Sequence, residues 1–505
     1  MNVSEVVCQA ARKYSGHTAL EYYGETWTFR DLLERVESFV GSLGRWELKS
    51  GDRVAIWLGD RPDTVFLYLA SIQRDLTALI IDGRCRAQEA AVLLSTPVDA
   101  LIYHSSLAPV VAEALNFASR PKLLVECCDD GAFHVSSSST ASVTRQAAPK
   151  EDPDAMIIPT SGTSGAPRLV RLTHQNIVSN LQGLEERVAG WLMPGDVFLN
   201  FLPLAHSYGL LGATLLPWLE GCKVVLRRGF NPLEMWDLLA SHHVSFFAGV
   251  PAVYALLLTL PAPEPLHISL KAACCGSDLL SPAIKRAFEA RFSAPLVEGY
   301  SLTEATVVTT MNSPGDPREG STGQPLREIQ VKIINDEGQA LPVGEVGEII
   351  LQGPTVMRGY IRSTADKGKE IRQGWLHTED LGSLDAENRL RIVGRKSDLI
   401  AVGGEKVYPK EVEDVCRRFP GVLDVAVVGI PDEWMGQRPI ACVVMAQGTE
   451  FDPHAIVEHC GNHLTKFKVP SRVIPFTQIP RSGMGKILRT ALRIEIQASS
   501  SAAKA

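Results

Sequence analysis

The sequence lacks any segment that predicts a membrane span and any cysteine spacing typical of a metal site. It contains no run of eighteen apolar residues, and its first residues hold no apolar signal core, so a cytoplasmic protein is expected. Its ten cysteines include no Cys-x-x-Cys pair and are expected to be reduced. Acidic residues outnumber basic ones, 57 to 50, and the resulting net charge of −7 argues against a nucleic-acid-binding protein.

Hydrophobic patterning predicts an α/β fold with more than one domain. A chain of 505 residues is too long for a single core. Short apolar runs alternate with helical patterns from RVAIWL (53–58) to PLVEGY (295–300), which predicts two doubly wound layers with parallel sheets. After about residue 320, short strands between glycine-rich turns predict a small β-barrel, and from about residue 398 the pattern is α+β.

The stretch PTSGTSGAPRLVRLTH (159–174) is rich in Gly, Ser and Thr and lies between a predicted strand and a predicted helix that Thr173 would cap. Backbone N–H groups and hydroxyls in such a loop can converge on phosphate oxygens, although a polar surface loop is an alternative. The Walker pattern is absent, because Gly165 is followed by Ala166, Pro167 and Arg168 rather than by Lys and Ser or Thr. A nucleotide bound here would need its cation and its metal ligand from elsewhere in the chain.

Together with later motifs, this loop resembles the signature of adenylate-forming enzymes, which include acyl- and aryl-CoA synthetases, adenylation domains of peptide synthetases and luciferases. The resemblance covers nearly the whole chain. It implies an N-terminal domain of residues 1–396, a mobile C-terminal domain of residues 397–496 with a hinge near Ser397, and a disordered tail of residues 497–505. The further motifs, in the family's order, are FLPLAHSYGL (201–210), GYSLTEAT (299–306), GEVGEIILQGPTVMRGY (344–360), GWLHTEDLG (374–382), GRKSDLIAVGGEKVYPKEVE (394–413) and PRSGMGKILR (480–489).

The resemblance implies that ATP and Mg²⁺ are bound by these motifs. Glu304 would bind Mg²⁺, which prefers a carboxylate together with phosphate oxygens and waters, and Thr303 would contact phosphate. Lys486 would stabilise the charge that develops on the α-phosphate. Taken separately, Thr303 and Glu304 would be a helix cap and Lys486 a solvated side chain. The implied nucleotide-binding set is Thr160, Ser161, Gly162, Thr163, Ser164, Gly165, Arg168, Gly276, Ser277, Gly299, Tyr300, Ser301, Thr303, Asp380, Ile392 and Arg395, with Tyr300 on the adenine and Asp380 on the ribose.

The segment Leu204–Tyr208 contains no carboxylate that could pair with the ammonium group of an amino acid. In this respect the chain resembles acyl- and aryl-CoA ligases, in which the residue matching His206 lies at the substrate carboxylate; a buried core histidine is the alternative. Cys, Phe and Leu in the implied pocket favour an apolar acyl or aromatic tail. The implied pocket consists of His206, Ser207, Phe247, Ala248, Gly249, Cys274, Cys275, Gly276 and Leu302.

The acceptor for the activated acid is CoA or the phosphopantetheine of a carrier protein. Gly403 and Gly404 would leave room for the pantetheine arm of either one. Candidate cations for CoA phosphates are Arg84, Arg86, Lys466, Lys468 and Arg472.

We therefore expect an acid–thiol ligase that forms an acyl-adenylate, releases pyrophosphate and then forms a thioester with CoA. A carrier-protein loading enzyme is the first alternative. A ligand-binding homologue without catalysis is the second, since Leu169, Glu379 and Ser397 depart from the family pattern, and a luciferase-like oxidation stays open. The expected state is a monomer or homodimer.

Overall fold

The computed structural model describes residues 2–129, 131–137, 152–160, 167–261, 268–361, 371–481 and 486–502. Asn2, Thr28 and Thr173 each cap a helix through a side-chain oxygen, and the predicted cap at Thr173 is confirmed. Within the described residues, no helix combines the length and apolar character needed to cross a membrane. The α-helices are α1 (Val3–Lys13), α2 (Phe29–Arg45), α3 (Pro62–Gln73), α4 (Ala87–Leu94), α5 (Ala108–Ala114), α6 (His174–Val188), α7 (Leu216–Leu219), α8 (Met235–Ser241), α9 (Pro251–Thr259), α10 (Pro282–Phe292), α11 (Pro409–Cys416), α12 (Pro453–Gly461) and α13 (Arg489–Ala502).

The strands follow the predicted apolar runs closely. They are β1 (Thr18–Tyr22), β2 (Glu25–Thr28), β3 (Arg53–Trp57), β4 (Thr77–Ile80), β5 (Ala100–His104), β6 (Leu123–Cys127), β7 (Phe133–Ser137), β8 (Asp154–Thr160), β9 (Arg168–Thr173), β10 (Val197–Asn200), β11 (Lys223–Leu226), β12 (Phe246–Gly249), β13 (Ala272–Cys275), β14 (Leu296–Tyr300), β15 (Thr310–Met311), β16 (Gln324–Pro325), β17 (Gln330–Ile334), β18 (Gly347–Gln352), β19 (Gly359–Tyr360), β20 (Ile371–Arg372), β21 (Trp375–Leu384), β22 (Leu390–Arg395), β23 (Ile400–Val402), β24 (Glu405–Val407), β25 (Val422–Asp432), β26 (Gly436–Met445) and β27 (Arg472–Pro475).

Two large sheets form the N-terminal part, as the alternating pattern predicts. One has the order β19-β9-β8-β4-β3-β5-β6-β7, and the other has the order β16-β15-β14-β13-β12-β10-β11-β1-β2. The inner strands of both sheets pair in parallel, and their apolar side chains join one extensive core. The α/β class and the large and small domains are thereby confirmed. The sheets do not follow chain order strictly, because β1 pairs with β11 of the second sheet.

A smaller antiparallel sheet has the order β17-β18-β21-β20, with β22 paired to β21. Among the described residues its ladders form an open sheet, whereas the sequence predicted a small barrel. Its register places Asp380 of β21 directly opposite Arg395 of β22. This pairing of consecutive strands thus fixes two oppositely charged side chains side by side.

The chain from Ile400 onward has its own core. Two clusters of buried residues lie there, one running from Ile400 to Val473 and the other from Ala426 to Ile496. A separate core is consistent with a domain boundary near Ser397, which stays a prediction. The last helix, α13, continues to Ala502 where the sequence predicted disorder from residue 497, and residues 503–505 lie outside the described residues.

Candidate active site

A polar chamber lies where the carboxyl ends of strands from both large sheets meet β21, β22 and the C-terminal part. Asp82 follows β4, Thr160 ends β8, Ser301 follows β14, and Lys486 enters from the other domain. The carboxyl ends of parallel strands are the usual ligand-binding edge of α/β sheets. The predicted residues that the chamber brings together are Thr160, Arg168, His206, Ser207, Ser277, Ser301, Leu302, Thr303, Glu304, Asp380, Arg395, Ser397 and Lys486.

Asp380 is the centre of a buried polar contact. The Tyr300 hydroxyl donates to Asp380 Oδ2 at 2.6 Å, and Arg395 Nε lies 3.4 Å from Asp380 Oδ1. Burial is the main cause that raises the pKa of Tyr300 well above its ordinary value, and the Asp380 charge adds to it. The phenol therefore stays protonated and donates a hydrogen bond. The carboxylate is therefore held in one orientation at the chamber wall, as a ribose ligand must be.

Glu304 is fixed by a residue to which sequence reasoning gave no role. The Tyr360 hydroxyl donates to Glu304 Oε1 at 2.8 Å, and the Arg168 guanidinium lies 5.8 Å from the centre of the Tyr360 ring. Burial and the Glu304 charge raise the pKa of Tyr360 above its ordinary value. Since Tyr360 lies on β19, which pairs with β9, the strand after the phosphate loop is tied to the carboxylate.

Three loop residues in or beside this chamber have positive φ, and eight other non-glycine residues elsewhere in the described chain do so too. Ser277, Thr306 and Glu379 have φ values of +70°, +77° and +58°. A residue with a Cβ adopts this left-handed region at a cost of roughly 1–2 kcal/mol. The resembling family commonly has glycine where this chain has Glu379, and the positive φ supplies the physical reason. Strain of this kind persists only where the surroundings determine the loop, which suits a position next to Asp380.

His206 lies half-buried at the chamber wall. Burial is the main cause that lowers its pKa to about 4; the nearby Asp82 carboxylate opposes the shift, and the cations of Arg84 and Lys486 add to it. The imidazole is therefore neutral near pH 7. It can donate one hydrogen bond to a substrate carboxylate without carrying a charge.

Two further carboxylates lie near His206, and one of them, Asp60, supports the loop that carries it. Asp60 Oδ1 accepts from the Leu204 amide at 2.8 Å, and burial raises the pKa of Asp60 to about 6. Asp82 accepts from Arg84 Nε at 3.0 Å and from Arg84 Nη2 at 2.6 Å. The sequence did contain a signal for both acids, because Asp60 and Asp82 follow the carboxyl ends of β3 and β4.

The neutral imidazole predicts that acid binding does not titrate with His206. Between about pH 5.5 and 8, the KM for the acid should depend on pH in the same way in the wild type and in His206→Gln, because a group with a pKa of about 4 has already lost its proton in this range. The KM of both proteins is measured by pyrophosphate release at a series of pH values. A KM that rises about tenfold per pH unit above 6.5 in the wild type, but not in the variant, would contradict it. A titration of Asp60 would appear in both proteins and is thus separable.

A second cavity, lined almost entirely by apolar side chains, extends from the chamber along one face of the nine-stranded sheet. Tyr208 and Ser301 line both cavities, so the two adjoin there. The Tyr208 hydroxyl donates to the Cys274 carbonyl at 3.1 Å. Glycines flank its ring, because a Cβ at Gly212 or Gly276 would lie 3.2 or 3.4 Å from it. The Tyr208 ring is therefore held in place where the polar chamber and the apolar cavity adjoin.

The strand faces divide the predicted pocket residues. Ala248, Cys274, Cys275 and Gly276 line the apolar cavity, and Leu302 lines the chamber. Phe247 lies on the opposite face of β12, where it packs on Tyr254 and Phe288 at ring distances of 5.6 and 6.1 Å. Gly249 faces the Tyr254 ring. Of the three predicted residues on β12, only Ala248 thus lines the cavity.

The other predicted residues are distributed as follows. Gly299 lines the apolar cavity, and Ile392 packs against the main core from β22. Gly403 and Gly404 form the turn between β23 and β24 with positive φ. Among the CoA candidates, Lys468 pairs with Glu411 at 2.7 Å, and the exposed ones are Arg84, Arg86, Lys466 and Arg472. The loop residues that lie outside the described residues are Ser161, Gly162, Thr163, Ser164 and Gly165.

The chamber suits a metal that arrives with the nucleotide. Among the described residues, no group of three His, Cys, Asp or Glu side chains could hold a metal ion. Mg²⁺ is commonly bound by one or two carboxylates with phosphate oxygens supplying further ligands. The buried carboxylate of Glu304, beside the hydroxyl-bearing Thr303, meets that requirement.

The fold and the chamber define the class of protein, an adenylate-forming enzyme, and comparisons with known proteins agree. Family models for the AMP-binding enzyme and for the AMP-binding enzyme C-terminal domain match residues 7–361 and 411–486. The chain is 30% identical to a long-chain-fatty-acid–CoA ligase of Bacillus subtilis, over 97% of this chain and 94% of that one. It is 32% identical to a sulfoacetate–CoA ligase of Cupriavidus necator, over 93% of this chain and 92% of that one.

Solved structures give the same result. ATP-bound MatB from Rhodopseudomonas palustris superimposes with a TM-score of 0.87 at 27% identity, covering 98% of this chain and 99% of that one. The o-succinylbenzoate CoA synthetase MenE from Bacillus subtilis, in complex with its acyl-adenylate, gives 0.81 at 27% identity and covers 97% of both chains. The chain belongs to the AMP-binding enzyme family, as its ordered motifs predicted.

Proposed function

We propose that this AMP-forming acid–CoA ligase activates a monocarboxylic acid with an apolar tail, either aliphatic or aromatic. The observation that carries the proposal is the direct contact between the chamber holding Lys486 and Glu304 and a cavity whose lining side chains are uncharged. A second carboxylate in the tail would be dehydrated there without a partner, at a cost of several kcal/mol. An apolar tail gains free energy in the same place.

The first half-reaction takes place in the chamber. An oxygen of the substrate carboxylate attacks the α-phosphorus of ATP, and pyrophosphate leaves. The ammonium group of Lys486 stabilises the charge on the phosphoryl oxygens, and Asp380 with Tyr300 fixes the ribose end of the nucleotide. Neutral His206 donates a hydrogen bond to the substrate carboxylate and does not form an ion pair with it. Glu304 would hold Mg²⁺, which would supply positive charge to the polyphosphate.

The second half-reaction needs a path for the thiol. The CoA sulfur attacks the acyl carbon, and AMP leaves. Lys486 lines the chamber in the structure, which supports an arrangement for the first half-reaction, and rotation about Ser397 would then bring the turn at Gly403 to the site. Gly403 and Gly404 have φ values of +60° and +90°, a backbone conformation that favours glycine at this turn.

A reducing compartment, the cytoplasm, is the proposed setting. Cys416 and Cys460 lie with their sulfurs 3.4 Å apart in the core of the C-terminal domain and remain thiols. In an oxidising compartment such a pair would be prone to form a disulfide. A monomer or homodimer is the proposed state.

A screen of acids tests the proposal. Purified enzyme with ATP and Mg²⁺ should release pyrophosphate with octanoic or benzoic acid at a kcat/KM at least about 100-fold higher than with oxalate or sulfoacetate. Equal or higher values for the doubly anionic acids would contradict the proposed pocket, and no acid-dependent pyrophosphate at all would contradict the activity. Parallel assays of thioester formation with CoA and with a holo-carrier protein identify the acceptor. CoA should be the better one, and transfer only to the carrier would overturn that assignment.

A further inference from the structure

We propose that the indole of Trp191 closes the far end of the apolar cavity and sets the maximum length of the acyl tail. The inference rests on the proposed function, because it assumes that the carboxylate lies in the chamber and the tail in this cavity. It adds a residue from the loop between α6 and β10 that determines specificity.

The cavity runs along the strands, away from the chamber. At the chamber it begins at Gly276 and Ser301, which follow the carboxyl ends of β13 and β14, and deeper inside it is lined by Ala272 and Val297. Ala272 and Gly276 are four residues apart along the chain, as are Val297 and Ser301, which corresponds to about 13 Å at about 3.3 Å per residue. An extended tail that starts at the Tyr208 ring therefore points toward the amino ends of these strands.

Trp191 lies at that distal end. It lines the cavity together with Pro314, which follows the antiparallel strand β15 and so lies level with the beginning of β14. A Cβ at the exposed Gly315 would be only 3.7 Å from the indole, so the ring packs over the surface backbone there. The next residue but one, Met193, is 49% exposed. The half-buried indole thus separates the cavity from solvent.

The indole belongs to a short loop and not to the sheet. The Trp191 amide donates to the Val188 carbonyl at 2.9 Å, which makes a turn directly after α6. A tail longer than the cavity has to displace the ring and lose its packing against the apolar wall. A smaller side chain would leave an opening at the surface, through which the end of a long tail can extend.

The test measures kcat/KM for hexanoic, octanoic, decanoic, lauric and palmitic acids by pyrophosphate release in the wild type, Trp191→Ala and Trp191→Leu. In Trp191→Ala the ratio of palmitic to octanoic acid should rise at least about tenfold, and Trp191→Leu should give an intermediate shift, since one methylene alters discrimination by about tenfold or more. Met193→Ala, a change in the same loop at an exposed residue, should keep the wild-type profile.

The outcomes separate this inference from the proposed function. An unchanged length profile in both Trp191 variants overturns the inference, and so does an equal shift in Met193→Ala. If the wild type activates none of the acids, the proposed function itself fails. Should Trp191→Ala not fold, Trp191→Leu, which keeps an apolar side chain of substantial volume, decides the question by the same ratio.

Discussion

Replacement of Lys486 by alanine should lower the rate of acyl-adenylate formation by about two to three orders of magnitude while leaving ATP affinity nearly unchanged. The reason is that negative charge grows on the α-phosphoryl oxygens only as the carboxylate attacks. An ammonium placed there therefore stabilises the transition state more than it stabilises bound ATP. Single-turnover acyl-AMP formation and equilibrium binding of a non-hydrolysable ATP analogue measure the two quantities separately.

The same variant also tests the proposed division between half-reactions. Supplied with synthetic acyl-adenylate and CoA, Lys486→Ala should form thioester at a rate near that of the wild type, because Lys486 is proposed to leave the chamber for this step. Lys49→Ala, which changes an exposed lysine outside the site, is the matched control and should behave as wild type in both assays. An unimpaired first half-reaction would refute the role of Lys486, and equal losses in both steps would refute the division.

Continuous motifs, interpreted through their resemblance to a known family, predicted several residues that the structure brings together in the chamber. Glu304, Asp380 and Lys486 lie within motifs that are continuous in sequence, and the structure places all three on one chamber although they span more than one domain. The strand before Glu304, β14, is the predicted apolar run PLVEGY, whereas Asp380 lies within β21. Chemistry carried by a continuous motif can be read from the chain because the motif contains its own turn and its own functional group.

Pairings between strands that are remote in sequence were harder to predict from the sequence. The hairpin of β1 and β2 joins the second sheet through β11, some two hundred residues further along the chain, and no local pattern specifies such a partner. Tyr360 likewise reaches Glu304 only because β19 pairs with β9. In both cases the deciding contact is between strands that are remote in sequence, whereas periodicity reports only what each strand buries.

The pocket prediction was limited by the two-sided burial of parallel strands. All four residues of β12 are buried. The alternation of buried and exposed residues that normally distinguishes the two faces of a strand is therefore absent there. The burial pattern of β12 therefore could not test Phe247, which the family resemblance implied as a pocket residue. The structure places Phe246 and Ala248 on the cavity, and Phe247 in the aromatic cluster on the other face.

Replacement of Glu304 by glutamine is expected to have an effect of similar size, about two orders of magnitude on acyl-adenylate formation, together with a higher Mg²⁺ requirement. Glutamine keeps the shape and an acceptor oxygen for the Tyr360 hydroxyl, so the change removes mainly the negative charge. The measurement is the initial rate of pyrophosphate release as a function of Mg²⁺ concentration at saturating ATP. An unchanged Mg²⁺ dependence would show that this carboxylate does not hold the metal.

Tyr360→Phe is the matched comparison, because it removes the 2.8 Å hydrogen bond and keeps both the ring and the Glu304 charge. A hydrogen bond to a charged group contributes about 1.5–3 kcal/mol. Only part of this contribution remains when the carboxylate binds the metal, so removal of the Tyr360 hydroxyl should lower the rate by about tenfold or less. In the double variant with Glu304→Gln, Tyr360→Phe should have little further effect, since the tyrosine then orients an uncharged amide in place of the metal-binding carboxylate. Fully additive losses would instead assign Tyr360 a contact of its own with the nucleotide. The comparison therefore separates the charge of Glu304, which the motif predicts, from its orientation, which only the pairing of β19 with β9 provides.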